Sequence, residues 1–125
     1  MPALTLDTEL AHPPARVWRA LTDRRLLAEW FMSTDLEPDR SRRFRLFPGP
    51  DWGLPGPLEG ELVDLSPPHR MVVLLRGEAV HARLTFELLP RPGDRCRLRL
   101  VHTAPLGLTG SLWRRNLARA YRERL

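Results

Sequence analysis

Residues 4 to 10, LTLDTEL, alternate apolar and polar side chains with a period of two, the pattern of a half-buried strand. Leu4, Leu6, Thr8 and Leu10 share one face. Pro13 and Pro14 end that run, and proline is tolerated in the first turn of a helix, so a first helix is predicted there with Val17, Trp18 and Leu21 facing inward. Asp23 is placed to cap a second helix, in which Leu26 with Trp30 and Leu27 with Phe31 fall four residues apart on a broad apolar face.

From residue 43 the period is two again. RRFRLF sets Phe44 with Leu46, LEGELVDL sets Leu58 with Leu62 against Glu59 and Glu61, and RMVVLL is apolar throughout, as in a central strand. Val80, Ala82, Leu84, Phe86 and Leu88 then oppose His81, Arg83, Thr85 and Glu87; Cys96, Leu98, Leu100 and His102 oppose Arg95, Arg97 and Arg99. PRPGD between these two runs is turn chemistry. The prediction is an antiparallel meander with one wet face, its first and last strands adjacent so that Asp7 and Glu9 lie beside Arg97 and Arg99. After Pro105 a helical period returns, with Trp113, Leu117, Ala120 and Tyr121 on one stripe. FPGPDWGLPGP, residues 47 to 57, is the one Pro/Gly-rich loop, and a Trp there, Trp52, reads as part of a lid or an interface.

At 125 residues the chain is read as one domain, spanning 2–125, with a core of its own. It has neither a membrane-length apolar run nor a basic-then-apolar leader, so a soluble, cytoplasmic protein with no membrane partner is expected. Lone Cys96 excludes an internal disulfide, and His12, His69, His81 and His102 show no zinc-site spacing; no metal and no cofactor are expected.

All twenty basic residues are Arg, and the net charge is +5. Residues 114 to 125 hold five Arg against one Glu, most of that surplus. A DNA-reading pair of helices would need groove-reaching side chains on the second helix, whereas that helix offers Ala28 and Glu29 outward and turns Leu26, Leu27, Trp30 and Phe31 inward. Arg24 and Arg25 at its start could touch phosphates, but Glu29 would oppose the same backbone. No nucleic-acid partner is expected, and the Arg surplus is read as an outer helix face.

Four segments in order, PPARVWRALTDRRLLAEWF, GELVDLSPPHRMVV, LTFELLPRPGDRCRLRLVHTAP and LWRRNLARAY, give the chain a likeness over almost its whole length. It resembles the α+β helix-grip fold of the START-like SRPBCC superfamily and, within it, the activator of heat-shock protein 90 ATPase C-terminal-domain-like family. The resemblance implies a curved antiparallel sheet wrapped around a C-terminal helix, a cavity between the sheet and that helix for apolar small molecules, and two short helices after the first strand closing one end. The chain departs from relatives in lacking glycines before RRFRL and in a final helix that stops at Leu125, which leaves one end of the cavity open or covered by a second subunit.

The expected ligand-binding residues are Leu84, Phe86, Leu98, Leu100 and His102 from the sheet and Trp113, Asn116, Leu117 and Ala120 from the helix. His102 has two readings, a structural histidine and a ligand contact. Cys96 and His102 lie six residues apart on one predicted strand, roughly 20 Å at ~3.3 Å per residue, too far for a dyad; Cys96 reads as a small core residue. Asp23 reads as a cap and Asp64 as turn chemistry. The sequence holds no carboxylate pair, phosphate-cradling loop or metal set, and the resemblance implies a non-enzymatic binding module holding a small hydrophobic molecule in a cavity between the sheet and the C-terminal helix. The alternatives are a co-chaperone-like protein-interaction domain, alone or as a homodimer, and a cyclase- or dehydratase-like enzyme.

Overall fold

The computed structural model describes residues 3–78, 80–103 and 119. β1 (Ala3–Leu10) leads into α1 (Pro14–Thr22) and α2 (Arg24–Trp30). β2 (Ser33–Thr34), β3 (Arg43–Phe47), β4 (Leu58–Ser66), β5 (Arg70–Arg76), β6 (His81–Arg91) and β7 (Arg95–Thr103) follow, with a 3₁₀ turn, Pro50–Trp52, between β3 and β4. The strands form one curled antiparallel sheet in the order β1-β7-β6-β5-β4-β3-β2, the α+β architecture expected. The final helix expected after Pro105 lies outside the described residues, apart from Arg119, which is helical and exposed.

Strict alternation makes the inner face. Ala82, Leu84, Phe86 and Leu88 on β6 and Cys96, Leu98, Leu100 and His102 on β7 are all buried, and RMVVLL is the central strand of seven, as its unbroken apolar run implies. Strand β6 runs on through Pro90 and Arg91, so the β6–β7 turn is shorter than PRPGD suggests. Gly93 and Asp94 carry it with φ of 78° and 54°, the left-handed region that glycine and, less often, Asp adopt.

Asp23 serves both helices. Its backbone N–H closes α1 on Arg19 O at 2.8 Å, and its Oδ1 accepts the N–H groups of Arg25 and Leu26 at 2.9 and 3.3 Å, filling donors that the start of a helix leaves open. Val17 and Leu21 of α1 and Leu27 and Trp30 of α2 are buried against the sheet, with Trp18 partly buried beside them.

On the outer face the registers bring Asp7, Arg99, Glu87 and Arg70 side by side across β1, β7, β6 and β5. Arg99 Nε donates to Asp7 at 2.8 Å, Arg97 reaches the same carboxylate at 3.4 Å, and Arg70 bridges Glu87 at 4.0 Å and Asp64 at 3.1 Å. The first and last strands are therefore neighbours, as the alternation predicts. Two details differ: Glu9 stands opposite Arg97 but makes its ion pair with Arg91 at 3.2 Å, and Asp64 belongs to β4, not to a turn. A bulge between Leu62 and Asp64 shifts the alternation of β4.

Strand β3 is short of a neighbour, because β2 covers only Leu46 and Phe47. Side chains complete the pairing: Thr34 Oγ1 donates to Arg45 O at 2.7 Å, and Arg45 N–H donates to Asp35 Oδ1 at 2.6 Å.

Candidate functional site

Between the two helices and the inner face of the sheet lies a cavity of about 40 Å³. Leu21 of α1, Leu27 and Trp30 of α2, and Phe31 just beyond it form one wall; Leu36 closes a side. Phe44 and Leu46 of β3, Leu62 of β4, Met71, Val73 and Leu75 of β5, and Leu84 and Phe86 of β6 form the other. The one polar group among these side chains, the indole N–H of Trp30, is donated to Ala20 O at 2.8 Å. Such a lining cannot exchange protons or coordinate an ion; it can only remove apolar surface from water. An apolar space of this size exceeds what one water occupies and is well below the ~150 Å³ that takes up a benzene ring.

Each wall has a local cause. Trp30 is fixed by its bond to the carbonyl of α1, and Phe31, stacked on it with centroids 5.2 Å apart, marks the end of α2. Trp52 meets Phe31 edge-on at 5.3 Å and 88°. The expectation that Trp52 stands out on a loop tip is corrected here: it is 6% exposed and part of the core, because the 3₁₀ turn folds it back onto the helix end.

Of the expected ligand-binding residues, Leu84 and Phe86 line the cavity. Leu98, Leu100 and His102 share the same buried face of the sheet, on β7, and are not among its lining residues. Trp113, Asn116, Leu117 and Ala120 lie outside the described residues. The helix and β3–β5 contributions were missed, although the apolar face of residues 26 to 31 and the unbroken run of β5 are the signals that carry them.

Of the buried side chains on β7, Cys96 is not poised as a nucleophile. Burial, with the charge of Glu9 adding to it, pushes the Cys96 thiol up, away from the thiolate a nucleophile needs. His102 is 1% exposed and opposite Leu84 and Leu4. Among the described residues no three His, Cys, Asp or Glu are grouped to hold a metal, and no helix is long and apolar enough to cross a membrane.

A larger groove, about 300 Å³, opens on the outer face between Arg43, Arg45 and Arg76 and Asp35, Glu59 and Glu61, over Leu74. Its walls carry both signs of charge and are open to water, where such pairs are worth little. The inner cavity is the better candidate despite its smaller size, since its apolar lining is what gives a small hydrophobic guest its binding energy.

The family described as "Activator of Hsp90 ATPase homolog 1-like protein" matches residues 11–116. A protein of known structure from Mesorhizobium loti is 27% identical, with 97% of this chain and 87% of that one covered and a TM-score of 0.72. A heat-shock protein 90 activator from Plasmodium falciparum is 18% identical over 95% and 86%, with a TM-score of 0.69. A putative protein in the dynemicin biosynthetic locus is 20% identical over 96% of this chain and 46% of its own, with a TM-score of 0.72. At these last two identities the likeness is one of fold. No curated protein matches the sequence.

Proposed function

The chain belongs to the family of activator of Hsp90 ATPase homolog 1-like proteins, and from that membership we propose that it is a non-enzymatic binding module for a small hydrophobic molecule. The observation that supports this is the cavity between α1, α2 and the sheet, whose described lining residues offer no free polar side-chain group. A guest there is held by the removal of its apolar surface from water, at about 25 cal/mol per Å², and needs no directed contact. Xenon, an apolar guest small enough for a space of about 40 Å³, titrated against the full chain and followed by its own NMR signal tests the reading. Saturable binding that a lining-residue substitution weakens supports it; a linear, unsaturable response sinks it.

A second reading is a protein-interaction domain, supported by the family description and by the likeness in fold to the Plasmodium falciparum activator. Pull-down with purified heat-shock protein 90 and an ATPase assay separate it from the first. A cyclase- or dehydratase-like role would need an acid or base inside the cavity, and none of the cavity's described lining residues is titratable.

A further inference from the structure

The outer face of the sheet has two unlike halves. On the β1 side its charges close on one another, as Asp7 does with Arg99 at 2.8 Å. Across β3, β4 and β5 they do not. The register sets Arg43 opposite Glu61, Arg45 opposite Glu59, and Glu59 opposite Arg76. Yet among the described residues no ion pair joins Arg43, Arg76, Glu59 or Glu61 to any partner. Of the three arginines only Arg45 is engaged, by Asp35 at 3.8 Å. The space left between these side chains is the groove of about 300 Å³, with half-buried Leu74 as its floor.

A second groove of about 560 Å³, beside Pro57, Gly77 and Glu78, shares Arg45, Glu59 and Arg76 with the first. The two run on past the end of β5, a length that suits an extended chain better than a compact molecule. Charge across the strands runs positive on β3, negative on β4 and positive on β5. Three arginines against Asp35, Glu59 and Glu61 leave no net charge to hold a polyanion. A second copy is a poor complement too. A two-fold axis laid along β4 sets Glu59 and Glu61 against themselves, and one laid across the strands sets Arg43 against Arg45. The β3 edge is closed to an added strand at Arg45, whose N–H is bonded to Asp35, so recognition falls to side chains on the face.

We propose that this groove docks an extended segment of a partner protein in which an acidic, a basic and a second acidic side chain stand at alternate positions. Strands lie ~4.8 Å apart and alternate residues ~6.8 Å along a strand, which puts the backbones of Arg43 and Arg76, at diagonal corners, roughly 12 Å apart. Residues i and i+4 of an extended chain span ~13 Å. The two acids then face Arg43 and Arg76, and the base falls between Glu59 and Glu61. Each pair is weak in water, so the complex needs all of them and is sensitive to salt. The groove lies on the opposite face of the sheet from the apolar cavity and docks its partner whether or not that cavity holds a guest.

A dye-labelled peptide carrying Glu-Ser-Lys-Ser-Glu, titrated with the full chain at ~50 mM salt and followed by fluorescence anisotropy, tests this. Saturable binding is expected, weakened about fivefold by Arg43→Glu or Arg76→Glu and lost at ~500 mM salt. The milder Arg43→Gln and Arg76→Gln, at exposed positions, guard against a variant that fails to fold and weaken binding less. The inverted peptide Lys-Ser-Glu-Ser-Lys binds instead to a chain carrying Arg43→Glu, Arg76→Glu, Glu59→Lys and Glu61→Lys together. Equal binding of Glu-Ser-Glu-Ser-Glu at these arginines, or no saturable binding of the first peptide, overturns the proposal. Sedimentation that shows a dimer dissolved by Arg76→Glu overturns it as well, since the occupant is then a second copy.

Discussion

The ring of Phe44 occupies the place where a side chain on Gly60 would begin: the two residues are direct cross-strand partners on β3 and β4, and a Cβ at 60 would overlap three ring atoms. Phe44 is in turn one wall of the cavity. The absence of a side chain at 60 is what lets the ring lie flat against the sheet.

Gly60→Ala should therefore destabilise the fold by about 1–3 kcal/mol, the usual cost of an overpacked site, and push the Phe44 ring toward the cavity. Thermal melting gives the first effect and loss of xenon affinity the second. A variant as stable as wild type with unchanged affinity would mean that Phe44 has room elsewhere.

Val73→Leu adds one methylene at the cavity wall. Because free volume lies in front of it, melting temperature should hold or rise while xenon binding is lost. In a solid core the same change would cost about 1–3 kcal/mol through strain, and a clear drop in melting temperature would show that the space is already filled.

Asp23→Ala removes the side-chain acceptor for Arg25 and Leu26 N–H groups. A loss of about 0.5–2 kcal/mol is expected for such a cap, read from denaturant midpoints. Since α2 carries Leu27 and Trp30 to the cavity, xenon affinity should fall with it; Asp23→Asn or Asp23→Ser, both good caps, should restore most of each.

The Arg99 hydrogen bond, with the charges of Arg99 and Arg97 adding to it, holds the Asp7 carboxyl below its ordinary value. A lowered carboxylate pKa contributes stability that is present at neutral pH and lost as pH falls through the folded-state value. Wild type should lose stability in the acid range below pH ~4, and Asp7→Asn, less stable near neutrality, should lose less there. High salt should shrink the difference, because the group is near the surface. Parallel stability-pH curves for the two proteins would remove Asp7 from the acid response.

Much of this fold is legible in the chain. Leu84, Phe86 and Leu88 against Arg83 and Glu87 can only be a strand with one wet face, and the charges of Asp7 and Arg99 name their own pairing across ninety-two residues. Trp52 was not legible: Pro and Gly around it describe the backbone of a loop, and say nothing of whether that loop folds its one large ring back onto Phe31. Asp64 was misread for a similar reason, since a single bulged residue resets the alternation locally. The cavity was only half legible, because a void is bounded by residues from both helices and four strands, and periodicity tells which face each residue takes but not where opposing faces fail to meet.

At the far margin of the sheet, Thr34 and Asp35 hold the main chain of Arg45 with their side chains. An open strand edge is ordinarily an invitation to polymerise, since any extended peptide can dock on its unused N–H and C=O groups. Here the N–H of Arg45 is already answered by a carboxylate, which brings negative charge to the point of docking and offers no onward ladder. The sheet is finished by chemistry where it lacks a strand to finish it, and colloidal behaviour at high concentration is thereby tied to two short polar side chains far from the apolar interior.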